Sequence, residues 1–269
     1  MNTIYQKKHE LWLHILFASF AINDEEIKSK LYDFSQIAFR HMKWLGSDLL
    51  SSNADYNYDR DMLLLKQDSV FAVLNALKDQ VKQMQKLYSN NVLDKRVQTD
   101  DTYLLQYLEQ LLQDQSNNQE VSAFNMQRKW PEADLDPVQT DALTLFLFEE
   151  SYKEYELILV YAYMQARTNE TLHFDVFQDL IDESHFHLKS FGNMMAKLGI
   201  LALPRELHEM TYKIKDLEKF VKDGIAEEEA AKEMCKELSE AINEPKLSSF
   251  FDFINYQESY HIQLMQKLL

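Results

Sequence analysis

Glycine and proline are scarce in this chain, four of each in 269 residues. Those two residues punctuate turns and end helices. Their scarcity beside abundant Leu, Glu, Lys, Gln and Met excludes a turn-rich sheet protein and predicts long helices with few connections. Cysteine is scarcer still: Cys235 stands alone, which excludes a disulfide framework and any cysteine-built rubredoxin or zinc-ribbon module. Positive charge is in deficit, 28 Lys and Arg against 44 Asp and Glu for a formal net charge of -16. That balance excludes nucleic acid as a partner, because phosphates require a face of Lys and Arg, and it suits the attraction of cations. Long apolar runs are missing too. The stretches near Leu11–Ile22 and Leu143–Phe148 are too short or too interrupted to cross a bilayer core of about 30 Å. The first residues show no apolar run followed by a small-residue cleavage site. The expectation is a cytoplasmic protein that does not enter a membrane.

Apolar residues recur at three- and four-residue spacing from about Lys7 to Ala21. Asn23-Asp24 followed by Glu25-Glu26 then predicts a cap opening a second helix to about Leu50. Ser51 to Asp59 is polar, and helices are predicted again over Arg60–Tyr88 and Thr99–Gln115. The stretch from Ser116 to Pro137 mixes Gln, Asn and Asp with two prolines around Trp130, and it predicts a linker. Beyond it, helices are expected over Asp141–Arg167, Leu172–Leu198, Arg205–Val221, Ile225–Ile242 and Leu247–Leu269, with breaks at Gly199, Pro204, Gly224 and Pro245. The organisation predicted is all-α: a bundle over residues 1–115, a linker over 116–137 and a second bundle over 138–269.

Chemistry concentrates in the second half. Glu258 and His261 stand at i and i+3, neighbours on one face of a helix. Glu228 precedes His261 by 33 residues, and Glu154 precedes His187 by the same 33. Tyr161 and Cys235 each follow their glutamate by seven, so the whole set repeats at an offset of 74. A repeated helix pair, each supplying one Glu from its first helix and an acid with a His from its second, builds a dimetal site on a pseudo-two-fold axis. Two ions close together need bridging carboxylates to neutralise them and one imidazole each to fix geometry. Such hard and borderline donors favour iron or manganese over zinc.

The run Gly224-Ile-Ala-Glu-Glu-Glu-Ala-Ala, the turn Glu244-Pro245 and Glu258-Ser-Tyr-His261 resemble the ferritin-like superfamily in its rubrerythrin-like, di-iron carboxylate branch, where Glu and then Glu-x-x-His occur twice. The resemblance implies two antiparallel ferritin-like bundles in tandem, with Glu228, Glu258 and His261 as metal ligands. In the other helix pair His187 falls at the family histidine, but the position three before it is Ser184, so Glu183 is the acid expected to serve beside Glu154. Asp182 with His185 is a rival pair, which would move the upstream acid toward Glu150. In the first half His41 matches a family histidine, yet Ala38 and Lys8 occupy the acid positions. That half is expected to keep the fold without the metal. His9, His14, His173 and His208 have no acid partner at repeat positions and read as capping, surface or core residues.

These resemblances imply two Fe ions, or Mn in their place, and an oxidoreductase activity on O2 or peroxide. An external electron donor is required because no cysteine cluster is available within the chain. Tyr161 is the candidate catalytic side chain, placed to relay electrons or protons. Two other outcomes stay open: an iron-binding or ferroxidase protein without an organic substrate, and a structural helical protein whose site has decayed. Family habit and the apolar run Leu11–Phe20 suggest a homodimer, although the same run suits burial within the chain.

Overall fold

A computed structural model describes residues 2–114 and 119–269. The chain is all-helical: among the described residues there is no strand, only an isolated bridge between Ser69 and Glu120. The helices are α1 (Asn2–Ala21), α2 (Glu25–Ser51), α3 (Val70–Gln85), α4 (Val92–Gln113), α5 (Pro137–Gln165), α6 (Thr171–Lys197), the single turn α7 (Glu209–Tyr212), α8 (Leu217–Ile242) and α9 (Pro245–Gln266). Most begin on a side chain that satisfies their free N–H groups. Asp24 accepts from Glu26 and Ile27, Ser69 from Ala72, and Asn91 from Asp94. Asp136 forms a reciprocal capping box with Gln139 just before Pro137.

Three sequence expectations need correction. Residues 60–69 are not helical; of the Leu63-Leu64-Leu65 run only Leu63 is buried, while Leu64 is 71% exposed, so no apolar face exists to dock a helix. The segment from Arg205 to Val221 contains only the turn α7 before α8 opens at Leu217. Gly224 does not break the chain but lies inside α8. A Cβ there would meet Met265 Cε and Sδ at 3.3 Å, so its lack of a side chain lets α8 lie close against α9 rather than ending a helix.

The chain divides into two compact units, Met1–Met126 with Gly199–Glu206, and Gln127–Leu198 with Leu207–Leu269. The predicted linker is therefore shared between them, its residues 116–118 lying outside the described ones. Gly199–Glu206 joins the first unit through backbone bonds from Met126 N–H to Gly199 O, 2.8 Å, and from Leu201 N–H to Ala123 O, 2.9 Å. Gly199 adopts φ +74, and a Cβ would strike Asn125 Oδ1 at 2.0 Å, so only glycine fits this close approach.

Each unit has the same internal connectivity. In the first, α1 packs on α2 and α3, and α4 on α2 and α3; in the second, α5 packs on α6 and α8, and α9 on α6 and α8. The correspondence extends to single residues. Shifted by 146 positions, the start of α2 at Glu25 meets the start of α6 at Thr171, and the left-handed Asn53 meets the left-handed Gly199. Within the second unit the 74-residue offset is equally visible. Gln165 donates to Phe174 O and Gln178 Oε1, and Ser239, 74 positions on, reaches Ser248 O and Asp252 Oδ1. The run Leu11–Phe20 is buried. No helix among the described residues is long and apolar enough to cross a membrane.

Candidate metal centre

The four long helices of the second unit each send acid or imidazole groups to one buried place. α5 supplies Glu154, α6 supplies His187, α8 supplies Glu228 and α9 supplies Glu258 and His261, all 4% exposed or less. His187 Nδ1 lies 2.8 Å from Glu154 Oε1 and 3.7 Å from Glu258 Oε1. His261 Nδ1 lies 2.8 Å from Glu258 Oε2 and 3.7 Å from Glu228 Oε2. Each imidazole thus stands between a glutamate of its own helix pair and one oxygen of Glu258, and the two rings are 5.2 Å apart. Glu154, His187 and Glu258 form one group able to hold a metal ion, and Glu228, Glu258 and His261 a second; Glu183 with both histidines forms a third. An imidazole engaged through Nδ1 turns Nε2 away. The first two groups can therefore be filled together through shared Glu258, whereas the third is an alternative to them.

The far sides of the rings are also furnished. Gln257 Oε1 lies 3.2 Å from His187 Nε2, and Gln257 Nε2 donates to Glu183 Oε2 at 2.7 Å. Glu183 Oε2 faces His261 Nε2 at 3.9 Å. Glu183 is half-buried, the one acid of the cluster with access to water.

So many buried acids are balanced by protons and by the half-buried Lys153 ammonium. Burial works against charge on His187, but Glu154 and Glu258 outweigh it and push the imidazole up to about 9. Burial is likewise outweighed at His261, which Glu183, Glu228 and Glu258 raise to about 12. Glu228 and Glu258 share a proton: burial and the Glu228 charge raise Glu258, while hydrogen bonds from His261 and Glu258 overcome burial to hold Glu228 low. Burial first, then the charges of Glu154 and Glu228, lift Glu150 to about 7 against the pull of Lys153. The donor set fits a hard cation. Glu154 Oε2 is buried with no hydrogen-bond partner, an acceptor left over for a ligand. Burial pushes the Cys235 thiol up, and Cys235 belongs to none of the groups able to hold an ion among the described residues.

In the first unit the corresponding place is filled differently. Lys8, at the position of Glu154, is fully buried and its ammonium lies 2.6 Å from Asp101 Oδ1. Tyr88 donates to Asp101 Oδ2 at 2.5 Å, and Lys8 reaches Tyr88 Oη at 3.3 Å. His41, at the position of His187, pairs through Nε2 with Asp100 Oδ2 at 3.0 Å. All three possible metal groups among the described residues lie in the second unit.

Of the expected residues, Glu154, His187, Glu228, Glu258 and His261 come together on the Nδ1 side, and Glu183 comes to the Nε2 side. The rival pair does not assemble: Asp182 is exposed and accepts from Gln178, and His185 is buried outside the cluster. Glu150 is buried close enough to feel the charges of Glu154 and Glu228. Tyr161 is buried, its hydroxyl has no hydrogen-bond partner, and burial with the Glu228 and Glu154 charges keeps it a neutral phenol. Gln257 was missed, although it stands 74 positions after Glu183. The Lys8–Asp101 pair was missed as well, being 93 residues apart in sequence. Comparison with family models, with curated proteins and with solved structures finds no match to this chain.

Proposed function

We propose that the second unit is a ferritin-like dimetal centre, with two Fe ions as its native cofactor, and that the chain is a non-haem oxidoreductase acting on O2 or peroxide with electrons from an external donor. The observation that carries this reading is the pair of Nδ1-centred triads joined through the two oxygens of Glu258. Glu154 and His187 would hold one ion, Glu228 and His261 the other, and Glu258 would bridge them. When bound, such a pair supplies redox equivalents and Lewis acidity toward oxygen species. The residues do the rest. Burial of the acids keeps bulk water away, the protons now on His187, His261 and Glu258 leave as ions enter, and Tyr161 offers a neutral phenol near the acids. Manganese fits the same donors.

One observation favours a second reading, a decayed and purely structural site. Ser184 occupies the position 74 residues before Glu258, so the second bridging carboxylate is missing. Metal content of the full chain decides between them, measured by plasma mass spectrometry after anaerobic loading with Fe(II) or Mn(II). The metal reading expects about two ions per chain, lost in Glu228→Ala/His261→Ala with the helical circular dichroism retained. Wild-type protein that stays empty supports the structural reading. Iron accumulating well beyond two per chain would instead indicate iron handling without an organic substrate.

A further inference from the structure

The two metal positions have the same inner donors but different outer ones. Glu183 and Gln257 are related by the 74-residue repeat, and each stands behind the histidine of the opposite helix pair. Gln257 of α9 is hydrogen-bonded to His187 Nε2 of α6 at 3.2 Å, and the Glu183 carboxylate of α6 faces His261 Nε2 of α9 at 3.9 Å, an ion-pair contact without a hydrogen bond. The two outer groups are bonded to each other through the Gln257 amide and Glu183 Oε2 at 2.7 Å. A hydrogen bond at the other nitrogen of a ligating imidazole, as Gln257 makes to His187, holds it in one tautomer, and a carboxylate facing that nitrogen, as Glu183 faces His261, raises its basicity more than a neutral amide does. Resting on the dimetal reading, we propose that Glu183 and Gln257 are positioning residues that make the two sites unequal: the His261 position, backed by a carboxylate, binds the first ion, and the His187 position, backed by an amide, binds the second.

The placement supports this division. Glu183 lies on the solvent side of the rings and is partly exposed, whereas Glu154, Glu228 and Glu258 enclose the Nδ1 side and are buried. With Ser184 where the repeat would place a second bridge, the α6 side contributes its acid behind the ring instead of between the ions. Gln257 opposite Glu183 and Ser184 opposite Glu258 together break the two-fold symmetry.

The test is a stepwise anaerobic titration of the full chain with Co(II), followed by its visible absorption, on wild type and on variants of the outer residues. Wild type is expected to bind two ions in two separable steps, the tighter one abolished by His261→Ala. Glu183→Gln should weaken the first step by about tenfold, the low end of the usual effect of losing such a partner, and leave the second in place. Gln257→Ala should weaken the second step only. In the exchanged chain, Glu183→Gln/Gln257→Glu, the tight step should now be abolished by His187→Ala. Two indistinguishable steps in wild type, or outer variants that move both steps alike, would overturn the inequality while leaving the dimetal reading intact. Fewer than two ions bound by wild type would overturn the dimetal reading and this proposal with it.

Discussion

Replacing Lys8 with methionine removes a charge from the most enclosed polar contact in the first unit. Lys8 is fully buried, its ammonium is 2.6 Å from Asp101 Oδ1, and Asp101 itself is 3% exposed. Methionine keeps the length of the side chain and packs well among apolar neighbours, so the main effect of Lys8→Met is electrostatic: Asp101 keeps only the Tyr88 hydroxyl and becomes an uncompensated buried carboxylate. Breaking a buried pair in this way costs about 3–5 kcal/mol. Adding Asp101→Asn removes the stranded charge while leaving an acceptor for Tyr88, and a coupling of about 2–3 kcal/mol is expected between the two changes. The assay is urea denaturation in a Trp130→Phe background. Trp12 and Trp44 then report the first unit alone, which avoids treating the whole chain as two-state. A Lys8→Met chain that loses less than about 1 kcal/mol, the usual level of a surface change, or a double variant no more stable than the single one, would refute the reasoning.

Two further outcomes follow from the protons. At pH 7 His187, His261 and Glu258 are held protonated in the metal-free state, so loading two ions should release about three protons and tighten overall binding by about a thousandfold per pH unit near neutrality; calorimetry in buffers of different ionisation enthalpy measures the release, and none at all would sink the Nδ1-ligand assignment. The two units should also respond to pH in opposite directions. His41 is lowered to about 4 and His9 to about 3, both chiefly by burial, so their contribution is present above the unfolded value of about 6.5 and lost as pH falls toward 4. His187 is raised to about 9, so its contribution is present below about 6.5 and lost as pH rises through 9. Hydrogen exchange on metal-free protein, corrected for intrinsic rate, should show the first unit loosening at pH 5 and the second at pH 9; the reverse pattern would show these shifts to be wrong in sign.

What the sequence disclosed was local or periodic. Asp24 at the start of α2, Pro245 at the start of α9 and Gly199 after α6 are punctuation with a backbone reason. The 33- and 74-residue spacings needed only arithmetic to place Glu154, His187, Glu228, Glu258 and His261 on facing helices. What it concealed depended on partners distant in sequence. Gly224 reads as a breaker until Met265 is seen against it. Leu63-Leu64-Leu65 reads as helix until burial is known. Glu183 reads as an inner ligand because helical geometry gives its side of the helix but not the side of the imidazole it will meet. Gln257 carries no charge and no ligand chemistry of its own, so only the repeat could have singled it out.

The two units answer one physical problem in two ways. A carboxylate inside a helical bundle needs a compensating positive charge or it will not stay ionised. In the first unit the compensation comes from side chains of the unit itself: Lys8 takes one oxygen of Asp101, Tyr88 takes the other, and Asp100 takes His41 Nε2. Both oxygens of that acid are already engaged, which leaves no anionic pocket to attract a cation. In the second unit the position of Lys8 is held by Glu154, so the compensation comes from protons and from the half-buried Lys153 ammonium, which feels Glu150, Glu228, Glu154 and Glu258; Glu154 Oε2 has no hydrogen-bond partner, and the acids outnumber the imidazoles. A divalent ion would gain there what it could not gain in the first unit, because it would displace protons from His187, His261 and Glu258 rather than an ammonium bonded directly to the acid. The exchange of Lys8 for a glutamate 146 positions later, together with Lys82 and Leu112 where the second unit has Glu228 and Glu258, separates a self-neutralised core from a cluster whose residues could hold a metal ion.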